Sequence, residues 1–230
     1  MKRIVVLTGA GMSAESGLKT FREAGGLWEE HDVMEIASPI GWRNNRNLVL
    51  EFYNQRRAQL LTVEPNLGHS ALKQLEDYFD VQLITQNVDD LHERAGSSNI
   101  LHLHGELFKV RSTGNSNLIY QWKKELIEGD LCEEGHQLRP HIVWFGEDVP
   151  LIPKAIDILS TADILMIIGT SMQVYPASTL IHYVKNNTPI YFIDPHPTIS
   201  ENSFNNLKII AEPATIGVPR VVNELITSIS

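Results

Sequence analysis

Cysteine is almost absent from this chain. Among its 230 residues there is one, Cys132, so no disulfide can form within the chain. Such usage is typical of proteins that work in a reducing compartment. A single thiolate also cannot supply the four cysteine ligands of a common structural zinc site. We therefore expect neither an internal disulfide nor a bound zinc ion.

Long apolar runs and an excess of positive charge are lacking as well. No apolar segment approaches the ~20 residues that span a bilayer, and the first predicted strand begins so early that we expect no signal peptide. Lys and Arg number 19 against 28 Asp and Glu, and the resulting net charge of −9 argues against general nucleic-acid binding. We expect a cytoplasmic monomer that binds neither nucleic acid nor membranes.

A glycine-containing stretch follows the first apolar run. Residues 4–7 are typical of a buried parallel strand. Gly9 and Gly11 then allow a tight turn and the approach of backbone N–H groups to a ligand. Together with Ala14 they form the pattern G-x-G-x-x-[GA], which binds a pyrophosphate at a helix N-terminus in many nucleotide-binding proteins. The pattern alone is equally compatible with a plain strand–helix turn.

The region after this stretch differs from that of a dehydrogenase. A dehydrogenase continues with a helix and a second strand that ends in an acidic residue ~20 positions further on. Residues 28–65 instead predict mostly helix and no clear strand. This pattern argues against a hydride-transfer architecture.

Polar and titratable side chains follow the later predicted strands. Gln86, Asn87 and Asp89 come after the strand at residues 81–84, and ligands of open α/β sheets bind at the carboxyl ends of strands. The same residue types also serve as helix caps. Alternate positions of a further predicted strand carry two histidines, 102 and 104, but one such pair without a third ligand is weak support for a metal site.

Four motifs together resemble those of the sirtuin family of NAD-dependent protein deacylases. They are G-A-G-x-S-x-x-S-G-L-x-x-F-R at residues 9–22, T-Q-N-V-D-x-L-H at 85–92, L-H-G at 103–105 and G-T-S at 169–171. The resemblance implies an α/β fold, a Rossmann-like parallel sheet with helices on both faces, formed by residues 1–30, 65–105 and 143–230. Residues 31–64 and 106–142 are expected to form a small module with a helical part and a zinc-less, ribbon-like part.

The resemblance also implies roles for individual residues. His104 is expected to act as general base, which suits its reference pKa of about 6.5, and Asn87 to act beside it at the nicotinamide ribose. The residues expected to bind NAD are Gly9, Ala10, Gly11, Ser13, Glu15, Ser16, Gly17, Phe21, Arg22, Trp28, Gln86, Asn87, Asp89, Gly169, Thr170, Ser171, Asp194 and Ala214. Those expected to contact the acylated peptide are Tyr53, Arg56, Val143, Phe145, Gly146, Glu147 and Tyr175.

Tyr53 and Arg56 lie three positions apart on a predicted helix and therefore share a face. A tyrosine packed on the core beside a solvated arginine explains this spacing without any function. The resemblance instead implies the pair that binds negatively charged acyl groups in some sirtuins. Arg57 projects about 100° further round the helix and is expected to lie outside that pocket.

Most sirtuins hold a structural zinc ion with two pairs of cysteines, and this chain lacks them. Ser112, Thr113 and Ser116 stand where the first pair is expected, and Cys132 is the remaining thiol. A mixed site would combine that thiol with His102, His136 or His141. We expect instead that hydrogen bonds and apolar packing hold the module together.

The activity implied is NAD-dependent removal of acetyl, succinyl or malonyl groups from the lysine side chains of proteins. Its products are nicotinamide, O-acyl-ADP-ribose and free lysine. Two other functions involve the same ligand: transfer of ADP-ribose to a protein, and non-catalytic sensing of NAD or ADP-ribose. The intact L-H-G motif argues against a sensor.

Overall fold

A computed structural model describes residues 1–19, 27–28 and 31–229 of the chain. The strands in these ranges are β1 (Arg3–Thr8), β2 (Leu27–Trp28), β3 (His31–Asp32), β4 (Asp80–Thr85), β5 (Ile100–His102), β6 (Gly105–Ser112), β7 (Ile119–Gln121), β8 (Leu138–Ile142), β9 (Ile164–Ile168), β10 (Ile190–Ile193) and β11 (Leu207–Ile210). The α-helices are α1 (Val33–Ile36), α2 (Pro39–Asn44), α3 (Arg46–Leu60), α4 (Leu67–Leu75), α5 (Leu91–Arg94), α6 (Ile152–Ser160) and α7 (Ala214–Thr227). Among the helices of these ranges, none has the length and apolar character required to span a membrane.

Six of the strands form one sheet, in the order β11–β10–β9–β1–β4–β5. All neighbouring pairs in it are parallel. β1 lies inside the sheet, with β4 on one side and β9 on the other. A chain that extends a sheet first on one side and later on the other leaves a crevice at the carboxyl ends of its strands, and ligands of open α/β sheets bind in such a crevice.

Helices cover both faces of this sheet. The side chains of β1 are fully buried from Ile4 to Leu7 and alternate between two apolar clusters. Ile4 and Val6 pack in the cluster that includes α4 and α7, whereas Val5 and Leu7 pack in the one that includes α6 and the 3₁₀ helix Ala177–Tyr183. Burial on both sides explains why the strand is a continuous apolar run. The observed sheet confirms the predicted α/β fold class.

A separate antiparallel sheet, β7–β6–β8, lies near α1, α2 and α3. The apolar side chains of these elements form a cluster of their own, which includes Phe52, Phe108 and Leu138. The cluster therefore draws on both chain segments expected to form the small module. The domain boundaries themselves stay a prediction.

Two local predictions were wrong. The region after residue 28 does contain a strand, because β3 pairs antiparallel with β2; two residues are too few to show the alternation by which a strand is recognised. Residues 9–19 form two 3₁₀ turns, Ala10–Met12 and Ala14–Ser16, instead of the α-helix expected after the glycine turn. The second turn ends at Gly17, whose φ of 99° lies in the left-handed region that favours glycine.

Candidate functional site

A cavity of about 730 Å³ lies at the carboxyl ends of β1, β4 and β9. This volume is within the ~300–1,000 Å³ that is typical of ligand sites. Of the residues expected to act on NAD or bind it, the wall includes Gly9, Ala10, Gly11, Ser13, Glu15, Gln86, Asn87, Asp89, His104, Gly169, Thr170, Ser171 and Asp194. Of those expected to contact the acylated peptide, it includes Tyr53, Arg56, Val143, Phe145, Gly146, Glu147 and Tyr175. The fold thus brings most of the predicted residues to one cavity.

Some predicted residues lie elsewhere. Ala214 is buried in the core at the start of α7, and the neighbouring Pro213 forms the cavity wall there, so direct contact of Ala214 with a ligand is not supported. Phe21 and Arg22 lie outside the described residues, as does the side chain of Trp28.

Ser16 and Gly17 do not line the cavity, but they bond to residues that hold the turn after β1 in place. The Ser16 hydroxyl accepts a hydrogen bond from Asn66 Nδ2 at 3.1 Å, and the Gly17 carbonyl accepts one from Gln59 Nε2 at 3.2 Å. Asn66 also caps α4 through its side-chain oxygen. These contacts connect the turn after β1 to α3 and α4.

The glycines of the turn allow two loops to meet. Gly9 N donates to Ile168 O at 2.9 Å and Gly11 N donates to Gly169 O at 2.8 Å. A Cβ at Gly11 would lie 2.7 Å from the Gly169 Cα, and one at Gly169 would lie 2.3 Å from Met12 N. The N–H groups of Gly9 and Gly11 are therefore bonded to the last residue of β9 and to the residue after it, and binding of NAD at these two glycines stays a prediction. The glycines shape the cavity by this close approach.

A buried hydrogen-bond network forms part of the cavity wall. Ser13 Oγ donates to Asp89 Oδ2 at 2.9 Å and accepts from Asn87 Nδ2 at 3.2 Å. Asp89 Oδ1 accepts from Leu91 N at 3.2 Å. Burial raises the pKa of Asp89 to about 6, although the hydrogen bonds from Leu91 and Ser13 oppose this shift. The network fixes the side chains of Asn87 and Asp89 toward the turn after β1.

His104 has a defined tautomer. Its Nδ1 lies 3.0 Å from the Gln86 carbonyl oxygen, which can only accept a hydrogen bond, so Nδ1 carries the proton. Nε2 is then the basic nitrogen of the ring. Burial lowers the pKa of His104 below its ordinary value, which the bond to Gln86 only partly offsets. A neutral imidazole with a free basic nitrogen in a cavity wall is suited to accept a proton from a ligand.

His102 and His104 do not form a metal pair. β5 ends at His102, and this side chain lines a second cavity of about 230 Å³, whereas His104 lines the larger one. Among the described residues, Glu93, His102 and Glu106 offer three ligand atoms within 4.8 Å of one another. However, His102 pairs with Glu93 and Lys109 pairs with Glu106, so the charges of both carboxylates are already compensated. We assign no metal to this cluster.

Tyr53 is buried at one end of the larger cavity. Its hydroxyl oxygen accepts a hydrogen bond from Trp144 Nε1 at 2.9 Å. Because the indole N–H is only a donor, the Tyr53 hydroxyl keeps its own proton for another partner. Burial raises the pKa of Tyr53 far above its ordinary value, so the hydroxyl stays protonated. The ring of Trp144 is in turn covered by the Arg139 guanidinium, 3.3 Å from its centroid.

The two adjacent arginines of α3 have different environments. Arg56 is half-buried, lines the cavity and lies over the Phe52 ring at 4.9 Å. Arg57 is 1% exposed, donates to Leu107 O and Asn54 Oδ1, and burial lowers its pKa to about 10. It lies outside the pocket as predicted, but as a buried structural residue it is unsuitable as a neutral control for Arg56.

The chain that leaves β8 lines the cavity next to Tyr53. β8 ends at Ile142, so Val143 and Phe145 belong to a loop in which they donate to His104 O and Ala37 O, both at 2.9 Å. The Glu147 carboxylate accepts from Arg139 and Arg111 and from Trp144 N. The side chain of Glu147 is thus already bound within the protein, and any contact of this residue with a peptide falls to its backbone.

Hydrogen bonds connect the segments in which most sirtuins hold zinc. Cys132 is buried, and its Sγ lies 3.2 Å from Ser112 Oγ. The same Ser112 oxygen accepts from Gly114 N and Asn115 N, and the Tyr120 hydroxyl donates to Glu133. The described geometry is consistent with a module held by hydrogen bonds and packing, while the absence of zinc stays a prediction.

Sequence reasoning overlooked Trp144 and the threonines beneath Asn87. Thr8 Oγ1 donates to Thr85 Oγ1 at 2.8 Å, and the latter accepts from Asn87 N at 3.0 Å. His92 Nε2 lies 3.2 Å from Thr8 Oγ1. Thr85 and His92 are the first and last letters of the T-Q-N-V-D-x-L-H motif, so the motif itself carried the signal. For Trp144 the signal was its indole N–H, which requires a partner when buried.

Comparisons with known proteins agree with this geometry. A family model described as the Sir2 family matches residues 9–176. An NAD-dependent protein deacylase of Bacteroides thetaiotaomicron is 52% identical over 232 residues, which cover 98% of this chain and 99% of that protein. One of Helicobacter pylori is 60% identical over 195 residues, 85% of this chain and 83% of that protein.

Solved structures are similar over almost the whole chain. A Sir2 homologue in complex with NAD is 36% identical with a TM-score of 0.89, and the match covers 100% of this chain and 91% of that one. A Sir2 protein bound to an acetylated peptide is 26% identical with a TM-score of 0.80, over 99% of this chain and 94% of that one. The predicted resemblance is confirmed.

Proposed function

The chain belongs to the Sir2 family, and we propose that it removes acetyl, succinyl and malonyl groups from protein lysine side chains. Its similarity to NAD-dependent protein deacylases identifies it as an enzyme of this kind, with NAD as its co-substrate. The proposed products are nicotinamide, O-acyl-ADP-ribose and free lysine. The single cysteine supports a cytoplasmic location, and we propose that the enzyme acts there as a monomer on acylated proteins.

The residues present fit a dinucleotide. The loops after β1 and β9 approach so closely that a Cβ at Gly9 would lie 2.7 Å from Thr170 Cβ, and this leaves an open cavity above them at the carboxyl ends of the strands. Asp194 directly follows β10 at the same edge and would hold the adenosine ribose, while Ser171 and Ser13 would lie beside the phosphates. Asn87 and Asp89 would hold the nicotinamide end.

His104 supplies the base of the reaction. When bound, NAD provides a ribose carbon that accepts the acyl oxygen as nicotinamide leaves, together with a neighbouring ribose hydroxyl. His104 Nε2 accepts the proton of that hydroxyl, because Nδ1 is committed to the Gln86 carbonyl. The low pKa of His104 keeps Nε2 unprotonated at neutral pH. This geometry, a neutral histidine with one fixed tautomer in the wall of the cavity, is the observation that carries the proposal.

The acyl preference follows from Tyr53 and Arg56. Both residues line the cavity. Trp144 donates to the Tyr53 hydroxyl oxygen, so that bond does not use the hydroxyl proton, which Tyr53 can donate to a ligand. A succinyl or malonyl carboxylate would accept hydrogen bonds from the phenol and from the guanidinium, whose planar fork matches a carboxylate. An acetyl group offers no such partner. The enzyme should therefore accept acetyl-lysine but bind acidic acyl groups more tightly.

A product analysis tests the proposal. The enzyme is incubated with NAD labelled in its ADP-ribose part and with peptides that carry acetyl-, succinyl-, malonyl- or butyryl-lysine. We expect one nicotinamide released per lysine freed, with the label on a small acylated sugar. Label fixed on protein would instead indicate ADP-ribosyl transfer. Binding of NAD without release of nicotinamide from any of the four peptides would indicate a sensor.

A further inference from the structure

Two histidines hold successive carbonyl groups of the loop that follows β4. Residues 86–90 form this loop between β4 and α5, and they include three of the residues expected to bind NAD. His104 Nδ1 lies 3.0 Å from Gln86 O, and His102 Nδ1 lies 3.2 Å from Asn87 O. The contacts are equivalent in position, but the other ring nitrogen of each histidine has a different environment.

Both nitrogens of His102 face atoms that can only accept a hydrogen bond. Nδ1 faces the Asn87 carbonyl, and Nε2 lies 2.6 Å from Glu93 Oε1. A carbonyl oxygen and an ionised carboxylate have no proton to donate. The ring must therefore carry two protons to satisfy both contacts, and it is then an imidazolium. The side chain is 9% exposed, so water does not replace either partner freely.

The charges around His102 favour that state. Glu93 on α5 and Glu106 on β6 face it, and Asp89 and Asp90 lie in the loop beside it. Burial alone lowers the pKa of His102, but the hydrogen bond and charge of Glu93, the charge of Glu106 and the Asn87 carbonyl together raise it above its ordinary value.

Other groups nearby act in the opposite direction. Lys109 on β6 and Lys123 line the same small cavity, and Lys109 pairs with Glu106. The buried His92 of α5 is a further basic group, and burial holds its pKa well below the ordinary value, so it stays neutral. Glu93 is the nearest compensating charge, because its carboxylate contacts the ring directly.

We propose that His102 is a positioning residue for NAD, which as an imidazolium holds the Asn87 carbonyl and thereby fixes the loop that receives the nicotinamide group and its ribose. The proposal rests on the proposed NAD site. It extends the role of the L-H-x-H-G segment from one histidine to two. His104 is the neutral base on one side of the loop, and His102 is the charged support on the other.

Loss of one proton from His102 would release Asn87. The contact with Glu93 is the shorter one and joins opposite charges, so a neutral ring keeps its remaining proton on Nε2. Nδ1 would then present a lone pair to the Asn87 carbonyl. Glu93→Gln avoids this conflict, because the amide can donate to Nε2 and the neutral ring keeps its proton on Nδ1. The two variants, His102→Gln and Glu93→Gln, therefore have different consequences.

Binding of NAD and of ADP-ribose, measured by calorimetry from about pH 6 to about pH 9.5, tests the proposal. His102→Gln should weaken NAD binding about tenfold or more, the usual effect of losing a hydrogen bond to a charged group, and should affect ADP-ribose less because it lacks nicotinamide. Glu93→Gln should bind NAD more tightly than His102→Gln, with an affinity that no longer changes over this pH range, because its neutral ring keeps the proton on Nδ1. As the pH rises, the wild-type enzyme should lose NAD affinity, and the midpoint of this loss should coincide with the pH at which His102 loses its proton. Glu51→Gln, an exposed change on α3, is the matched control.

The protonation state is read directly from nitrogen-15 NMR of the imidazole rings, with the spectrum of His102→Gln as assignment. We expect two protonated nitrogens in His102 and one in His104 at about pH 6.5. A His102 with a single proton at that pH would overturn the proposal, as would wild-type NAD affinity in a folded His102→Gln. Equal losses for NAD and ADP-ribose would indicate a merely structural residue. A wild-type enzyme that binds neither ligand would reject the NAD site itself.

Discussion

Arg56→Met should raise the Michaelis constant for succinyl-lysine strongly and leave acetyl-lysine turnover nearly unchanged. Methionine keeps an apolar side chain of similar length and removes the guanidinium, which lies over the Phe52 ring in the cavity wall. A hydrogen bond to a charged group contributes ~1.5–3 kcal/mol, which corresponds to roughly ten- to hundredfold in affinity. Because Arg56 is only half-buried, we expect the lower part of that range and a dependence on ionic strength.

Tyr53→Phe is a less specific probe of the same pocket. It removes the phenol, but it also leaves the buried Trp144 Nε1–H without its acceptor, which costs ~1–3 kcal/mol of stability. Both acyl substrates would then suffer from a less ordered pocket. Arg56→Met leaves the Tyr53–Trp144 bond in place, so its effect isolates the charge that faces the acyl group.

The assay is steady-state kinetics at saturating NAD with succinyl-, malonyl-, acetyl- and butyryl-lysine peptides. Butyryl-lysine has a similar length to succinyl-lysine without the charge. Arg43→Met is the control, since this arginine of α2 is exposed; Arg57→Met should lower the melting temperature and is informative only about folding. Equal losses in Arg56→Met on charged and neutral acyl groups, or a selective loss in Arg43→Met, would refute the reasoning.

Three further predictions follow from the same contacts. The rate should fall as pH drops below about 6, because Asp89 then gains a proton and His104 follows at its lowered pKa; an unchanged rate at about pH 5 would contradict this. Trp144→Phe should raise the Michaelis constant for succinyl-lysine more than that for acetyl-lysine, since Tyr53 loses the donor that orients its hydroxyl, and parallel changes would argue against that role. Elemental analysis should find no stoichiometric zinc, and a chelator should leave the melting temperature unchanged; one zinc ion per chain would reveal a site that includes Cys132.

The fold could be predicted from the sequence because the apolar pattern of a buried strand and the position of a motif are both read from short stretches of the chain. The run at residues 4–7 is apolar on both faces, and this alone indicates a buried parallel strand. The motifs at residues 85–92 and 103–105 were assigned to one site, and the structure brings Asn87 and His104 to one cavity. The order of the strands explains why the two motifs lie close together, because β4 pairs with both β1 and β5.

Other features depended on contacts between distant segments and could not be read from spacing. The N–H groups of Gly9 and Gly11 bond to the last residue of β9 and to the residue after it, about 160 residues further along the chain. Arg57 was separable from Arg56 by helix geometry, but its burial depends on the Leu107 carbonyl of β6. The tautomer of His104 likewise depends on Gln86, which no sequence pattern specifies.

The most direct measurement is the single-turnover rate of O-acyl-ADP-ribose formation in His104→Ala, with ADP-ribose affinity determined on the same protein. Loss of a general base costs ~10²–10⁴-fold in rate, and we expect that loss together with near wild-type affinity for ADP-ribose. His136→Ala, an exposed histidine of the antiparallel region, should behave as wild type. Wild-type formation of the acylated sugar by His104→Ala would contradict the assignment of His104 as the base.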